Sequence, residues 1–195
     1  MNILAKIELF TLKCAAINAD IKQVLSKYDS GTDSDIGIAD HLKDYIKQFD
    51  LDNRINAEKM AQYYSLFYMI ENDIRSLISE TLLETRGPDW WESSVPQAVK
   101  EEASKNKKRE FEAGVTLRST NDIDYITFGQ LGEIIKSNWD AFAGMLSNQS
   151  ALNRVIYSLN MSRGAIAHCG LLADDEIDRL KLNVKDWFRV LAGPT

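Results

Sequence analysis

Ser162-Arg163-Gly164-Ala165-Ile166-Ala167-His168-Cys169-Gly170 holds one of the two histidines of the chain, with an arginine five positions before it and a glycine two positions after it. Upstream, Leu152, Val155, Ile156, Leu159 and Ile166 recur at helical spacing. The stretch therefore reads as the last turns of an amphipathic helix over residues 150–169. Gly170 stands where the residue just past the helix end is expected. Asp174 and Asp175 open another helix, and the rest of the chain reads as scaffold that holds this helix end.

Leu152, Ile156, Leu159, Arg163 and Ile166 share one stripe of that helix, so Arg163 interrupts an apolar face. A guanidinium keeps its charge at neutral pH and, if buried, needs an anionic partner. Asn153, Tyr157, Asn160, Gly164 and His168 form a second, more polar stripe. Gly164 exposes bare backbone one turn before His168, which lets a second helix or a phosphate come close. His168 lies at the carboxyl end, where the macrodipole favours its protonated form. A fixed cation beside a histidine poised near neutral pH suits phosphodiester chemistry. The plainer alternative is a histidine interacting with the dipole and an arginine salt-bridged to a neighbour.

At 195 residues the chain is one domain, or one domain with an appendage. Its 45% apolar and 27% charged residues place it with ordinary globular proteins. Three prolines and ten glycines favour long regular elements over many turns. A net charge of -6 argues against a surface that binds nucleic acid everywhere, so any such contact must use a local patch. Cys14 and Cys169 make no disulfide framework and fit a reducing cytoplasm. Lys6, Glu8 and Lys13 interrupt the first apolar pattern, which predicts neither a signal peptide nor a membrane span.

In chain order, a helix is predicted over residues 3–28, a loop over 29–37, and a short helix over 38–49 with Leu42, Tyr45, Ile46 and Phe49 inward. His41 has no ligand partners at metal spacing and reads as an ordinary histidine. Residues 1–55 form an N-terminal helical arm, and a bundle over 56–195 starts afresh with Asn56 as N-cap. The longest helix is expected over 57–85, stopped by Gly87 and Pro88. It carries one stripe through Met60, Tyr63, Phe67, Ile70, Ile74 and Leu77, and a neighbouring one through Tyr64, Tyr68, Glu71, Arg75, Ile78 and Leu82. Glu71 and Arg75 are either a surface ion pair or part of a site in which Glu71 or Asp73 reaches Arg163 or His168.

Trp90 and Trp91 are either a plug over the bundle end or a stacking platform for bases. Pro96 starts a helix that runs into Lys105, Lys107, Lys108 and Arg109, the most basic stretch and the natural place for a phosphate backbone. A loop with an extended segment is expected over 114–126. Thr127 then caps a helix over 128–145, and the last helix runs over 174–192 with Ile177, Leu180, Val184, Trp187 and Leu191 inward.

Ser162 to His168 resembles the R-x(4)-H signature of the HEPN superfamily, named for higher eukaryotes and prokaryotes nucleotide-binding domains. Tyr68-Met69-Ile70-Glu71-Asn72-Asp73-Ile74-Arg75 is similar to the early helix of one branch. The Trp90-Trp91 loop and Tyr125-Ile126-Thr127-Phe128-Gly129-Gln130-Leu131, with Trp139, look like that branch too. The likeness covers about residues 57–192; residues 1–55 match no named family. It implies an all-α four- or five-helix bundle, here with an N-terminal helical extension, that dimerises through the signature helix. Many members are metal-independent ribonucleases of toxin, phage-defence or RNA-processing systems.

The resemblance makes Arg163 and His168 the catalytic pair of a homodimeric endoribonuclease, with Glu71, Asp73, Asn160 and Gly164 in support. Lys105, Lys107, Lys108, Arg109, Trp90 and Trp91 are candidate RNA contacts. The implied partners are an RNA substrate, a second copy, and an antitoxin or defence-system protein, with no membrane, metal or cofactor. Gly164 is the one departure, since active members commonly carry Asn, Asp or His there. The alternative is a non-catalytic module that binds nucleotide, RNA or a protein partner.

Overall fold

The structure is a computed structural model that describes residues 40–192. Eight α-helices and one 3-10 turn make these residues all-α, with no strand among them. They fall into two compact units, one ending at Arg54 and one beginning at Ile55. The helix expected over 3–28 and the loop expected over 29–37 lie outside the described residues.

In the first unit, α1 (Asp40–Ile46) ends before Phe49, where the sequence predicts its end. Backbone N–H groups of Gln48 and Phe49 donate to the carbonyls of Tyr45 and Ile46, both at 3.1 Å, so the chain tightens into i→i+3 turns and leaves the helix. Leu42, Tyr45 and Phe49, expected inward, are exposed. The next helix, α2 (Leu51–Arg86), starts well before residue 57. Asn56 lies inside it and is no cap. No Gly or Pro interrupts residues 51–56, and Asp52 in the first turn complements the helix N-terminus.

Within the second unit, α2 buries Phe67, Ile70, Ile74, Ile78, Thr81 and Leu82. Gly87, at φ 85°, ends it by donating to the Leu83 carbonyl at 3.1 Å. Then come α3 (Trp90–Ser94), α4 (Gln97–Glu112), the 3-10 turn Asp122–Tyr125, α5 (Phe128–Ser137), α6 (Trp139–Phe142), α7 (Gln149–Ala167) and α8 (Asp174–Leu191). The turn replaces the extended segment expected before residue 126. Tyr125 drives this local structure: its ring is buried, and its hydroxyl donates to the Ser119 carbonyl at 2.8 Å.

The single helix expected over 128–145 is two, broken at Asn138. This buried amide donates to the carbonyls of Ser94 and Ile134, both at 2.9 Å. A buried side-chain amide that bonds the backbone competes with the helical ladder, and here it ties the break to the end of α3. Gln130 accepts from the Thr127 backbone N–H at 2.8 Å, one half of a capping box at the start of α5.

Beneath the signature helix the core is dense. Leu152, Val155, Ile156, Leu159 and Ile166 are buried on α7 against Leu131, Ile134 and Ile135 of α5 and Ile177, Leu180, Trp187 and Val190 of α8. A Cβ at Gly132 would lie 2.8 Å from Ile156 Cγ2, so α5 and α7 approach closely because that residue is glycine. Asn148 caps α7 by accepting from the N–H groups of Ser150 and Ala151.

The other end of α7 differs from expectation by one residue. Cys169, not Gly170, takes the left-handed conformation, at φ 58°. Cys169 N–H donates to the Ile166 carbonyl at 3.1 Å and Gly170 N–H to the Ala165 carbonyl at 2.8 Å. These are the two hydrogen bonds of a Schellman motif with His168 as the cap. Gly170 is needed for space: a Cβ there would meet the Ala165 carbonyl oxygen at 3.0 Å.

Candidate functional site

Glu71 and Arg75 are one turn apart on α2, and their side chains touch at 2.5 Å. This is no surface pair: the two side chains are 12% and 14% exposed. Arg75 also faces Asp124 at 3.6 Å and donates to the carbonyls of Ile123 and Ile126. It thereby ties α2 to the 3-10 turn. The second carboxylate oxygen of Glu71 lies 3.4 Å from Arg163 Nε on α7. One carboxylate thus bridges two guanidinium groups, the partner that a cation on the apolar stripe of α7 requires.

Arg163 differs from Arg75 in what remains available. Its side chain is 38% exposed and bonded only through Nε among the described residues. The terminal guanidinium nitrogens have no bonded partner there, and they are the pair that grips two oxygens of a phosphate. Arg75, by contrast, is held through both Nε and Nη2 by Glu71, Asp124 and two backbone carbonyls.

The network forms one wall of a cleft of about 570 Å³. Tyr64, Phe67, Tyr68, Glu71, Asn72 and Arg75 line it from α2, and Arg163, Ile166 and Ala167 from α7. Arg118, Ser119 and Asp124 close it from the segment after α4. Arg118 is held in place by Glu110, which takes its Nε–H and, at 3.2 Å, its backbone N–H. Its guanidinium also lies 5.3 Å from the centroid of the Tyr125 ring. The hydrogen bond from Arg118 holds the Glu110 carboxyl below the ordinary glutamate value.

The other sequence candidates fall outside this cleft. His168 is exposed at the end of α7, next to the lining residue Ala167. Gly164 has nothing among the described residues within 4 Å of where a Cβ would sit. Asn160 is exposed and lies beside Gly129 on α5. Asp73 is exposed on α2 two residues from Glu71, which turns it about 200° away around the helix.

Trp90 and Trp91 are half-buried against the core and meet edge-to-face, with ring centroids 5.6 Å apart. In the basic stretch, Lys105 faces Glu102, Lys108 faces Glu112, and Lys107 meets Asp122 at 2.7 Å. The Asp122 hydrogen bond holds the Lys107 ammonium above its ordinary pKa. Lys107 thereby staples α4 to the 3-10 turn, and Arg109 is exposed on the same helix.

Tyr64, Tyr68 and Arg118 were not singled out as site residues from sequence. The tyrosines lie on the stripe that carries Glu71 and Arg75, and two aromatics beside two charges at i, i+4 spacing was the available signal. Arg118 sits in a segment without periodicity and gave none.

Among the described residues no group of three or more His, Cys, Asp or Glu side chains could hold a metal ion, and no helix is long and apolar enough to cross a membrane. A family model described as Swt1-like HEPN matches residues 65–192. No curated protein and no solved structure matches the chain.

Proposed function

Because the chain belongs to the HEPN family, in its Swt1-like branch, we propose that it is a metal-independent endoribonuclease of the toxin or phage-defence type. HEPN domains are generally ribonuclease-like or nucleotide-binding. The observation that carries the finer reading is the state of Arg163: anchored through Nε on Glu71, half-exposed in a cleft, with its phosphate-gripping edge open.

Arg163 stabilises the charge that develops on the phosphate. His168 takes the proton of the ribose 2′-hydroxyl or delivers one to the leaving oxygen. The product is a 2′,3′-cyclic phosphate. Five residues of helix amount to about 7.5 Å of rise and roughly 140° of turn, so Arg163 and His168 of one chain do not share a face. That separation favours a composite site in which two copies meet across a two-fold axis and each supplies both residues. Cognate antitoxin or another defence protein is the partner that would hold such an enzyme in check.

The full-length protein is incubated with RNA in the presence of EDTA. Cleavage with cyclic-phosphate ends is expected, and His168→Ala and Arg163→Lys should each lower it by roughly 10²–10⁴-fold while the fold survives. Cleavage at the wild-type rate by folded His168→Ala protein defeats the mechanism. A second reading, a non-catalytic binding module, draws on Gly164 in place of a polar residue and on His168 standing outside the cleft lining. RNA or nucleotide binding without cleavage of any RNA would select it.

A further inference from the structure

The mechanism leaves most of the cleft unused. On the same stripe of α2 as Glu71 and Arg75, Tyr64 and Tyr68 line it one helical turn apart, with ring centroids 6.5 Å apart and planes tilted by 35°. They are 62% and 61% exposed, although the adjoining stripe of the same helix buries Phe67 and Ile70. Two large rings kept in solvent beside an arginine-rich cavity add little to the core.

On a chain of net charge -6, the cleft presents three arginines against two carboxylates. Asp124 faces Arg75, and Glu71 is shared between Arg75 and Arg163. Arg163 on α7 keeps its terminal nitrogens unbonded among the described residues, and Arg118 on the segment after α4 is 57% exposed while its guanidinium pairs with Glu110. Arg118 is held by Glu110 and the Tyr125 ring, so it is presented with little freedom to lose on binding. A volume of about 570 Å³ falls within the usual range for ligand sites.

We propose that this cleft is a nucleotide subsite for single-stranded RNA, in which Tyr64 and Tyr68 form the wall on which a base stacks and Arg118 is a second phosphate-binding cation beside Arg163. The proposal rests on the ribonuclease reading and names how its substrate is held. Every base has a π-face, so such a wall binds without strict sequence preference. It requires an unpaired base, so it selects single strands over duplex.

The test is binding of an uncleavable 2′-O-methyl RNA decamer to the full-length chain, measured as a function of salt. Tyr64→Leu and Tyr68→Leu should each weaken binding by about five- to a hundred-fold at every salt concentration and leave the salt slope unchanged. Tyr68→Phe, which keeps the ring face, should bind like wild type. Arg118→Gln should weaken binding and flatten the slope by about 0.7. Wild-type affinity in the Tyr64→Leu, Tyr68→Leu double variant overturns the subsite and leaves the ribonuclease reading standing. An unchanged slope in Arg118→Gln removes that residue from the phosphate path and overturns its part. Loss of binding that tracks loss of a dimer in sedimentation assigns the tyrosines to a protein interface and overturns the proposal. A wild-type protein that binds no RNA defeats the proposal and the ribonuclease reading together.

Discussion

Glu71 Oε2 lies 3.4 Å from Arg163 Nε, a contact between residues 92 positions apart in sequence. The same carboxylate reaches Arg75 with its other oxygen at 2.5 Å. It thus decides both where α2 meets the 3-10 turn and how the guanidinium of α7 is aimed. Monodentate anchoring through Nε orients the arginine without occupying the edge that a phosphate would use.

Glu71→Gln keeps the shape of the side chain and removes its charge. Arg75 retains Asp124 and two backbone carbonyls, so the fold should survive with a loss of about 1–3 kcal/mol. Arg163 loses the charge of the one anchor it has among the described residues. The expected result is a larger fall in kcat than in RNA affinity, since the charge remains in the cleft but is no longer aimed. Equal cleavage by both proteins, with the melting temperature lowered alone, would make Glu71 purely structural.

Much of this arrangement was legible in the sequence, and the reasons are local. The buried stripe of α7 follows from Leu152, Ile156, Leu159 and Ile166, which recur at helical spacing and are all buried. Placing Arg163 on that stripe already demanded an acidic partner, and Glu71 was one of two named for the role. Periodicity could not reveal the break at Asn138, which depends on a carbonyl 44 residues away at Ser94. Nor could it place Arg118, whose position is set by Glu110 and Tyr125. For a related reason, counting lysines on α4 does not show which carboxylates Lys105, Lys107 and Lys108 face.

Assembly gives a second test. Gly164 leaves a bare patch on α7, with nothing among the described residues within 4 Å of an added Cβ, and Ala167 extends it by one turn. Close helix approach depends on such small residues at the crossing. Gly164→Leu should fold, because among the described residues nothing lies within 4 Å of the added Cβ, and should dissociate the proposed dimer. Sedimentation would then show a monomer where wild type is dimeric, with cleavage lost in parallel. A wild-type chain that stays monomeric at high micromolar concentration would end the composite-site reading.

The cap of α7 offers a stability prediction with opposite signs at adjacent residues. Cys169 holds φ 58°, a region that costs a residue with a Cβ roughly 1 kcal/mol or more relative to glycine. Cys169→Gly should therefore raise stability by about 0.5–1 kcal/mol, read from chemical denaturation. Gly170→Ala presses a methyl against the Ala165 carbonyl at 3.0 Å and should lower it. The two residues follow His168, so a shift in the cap should also change cleavage in the Gly170→Ala protein.

The last prediction concerns acid. Glu110 anchors Arg118 by two hydrogen bonds, and the one from the guanidinium holds its carboxyl below the ordinary value of 4.5. A carboxyl whose pKa is lower folded than unfolded stabilises the fold fully above the unfolded value, and that contribution is lost as pH falls through the folded one. The melting temperature of Glu110→Gln should accordingly lie below that of wild type at neutral pH. The gap should narrow below about pH 4.5 and close once the wild-type carboxyl is itself protonated. RNA affinity should follow the same course, because protonation releases Arg118 from its seat at the cleft. A gap between the two proteins that stays constant from pH 7 down to pH 3 would show that packing, and not the charge, is what Glu110 contributes.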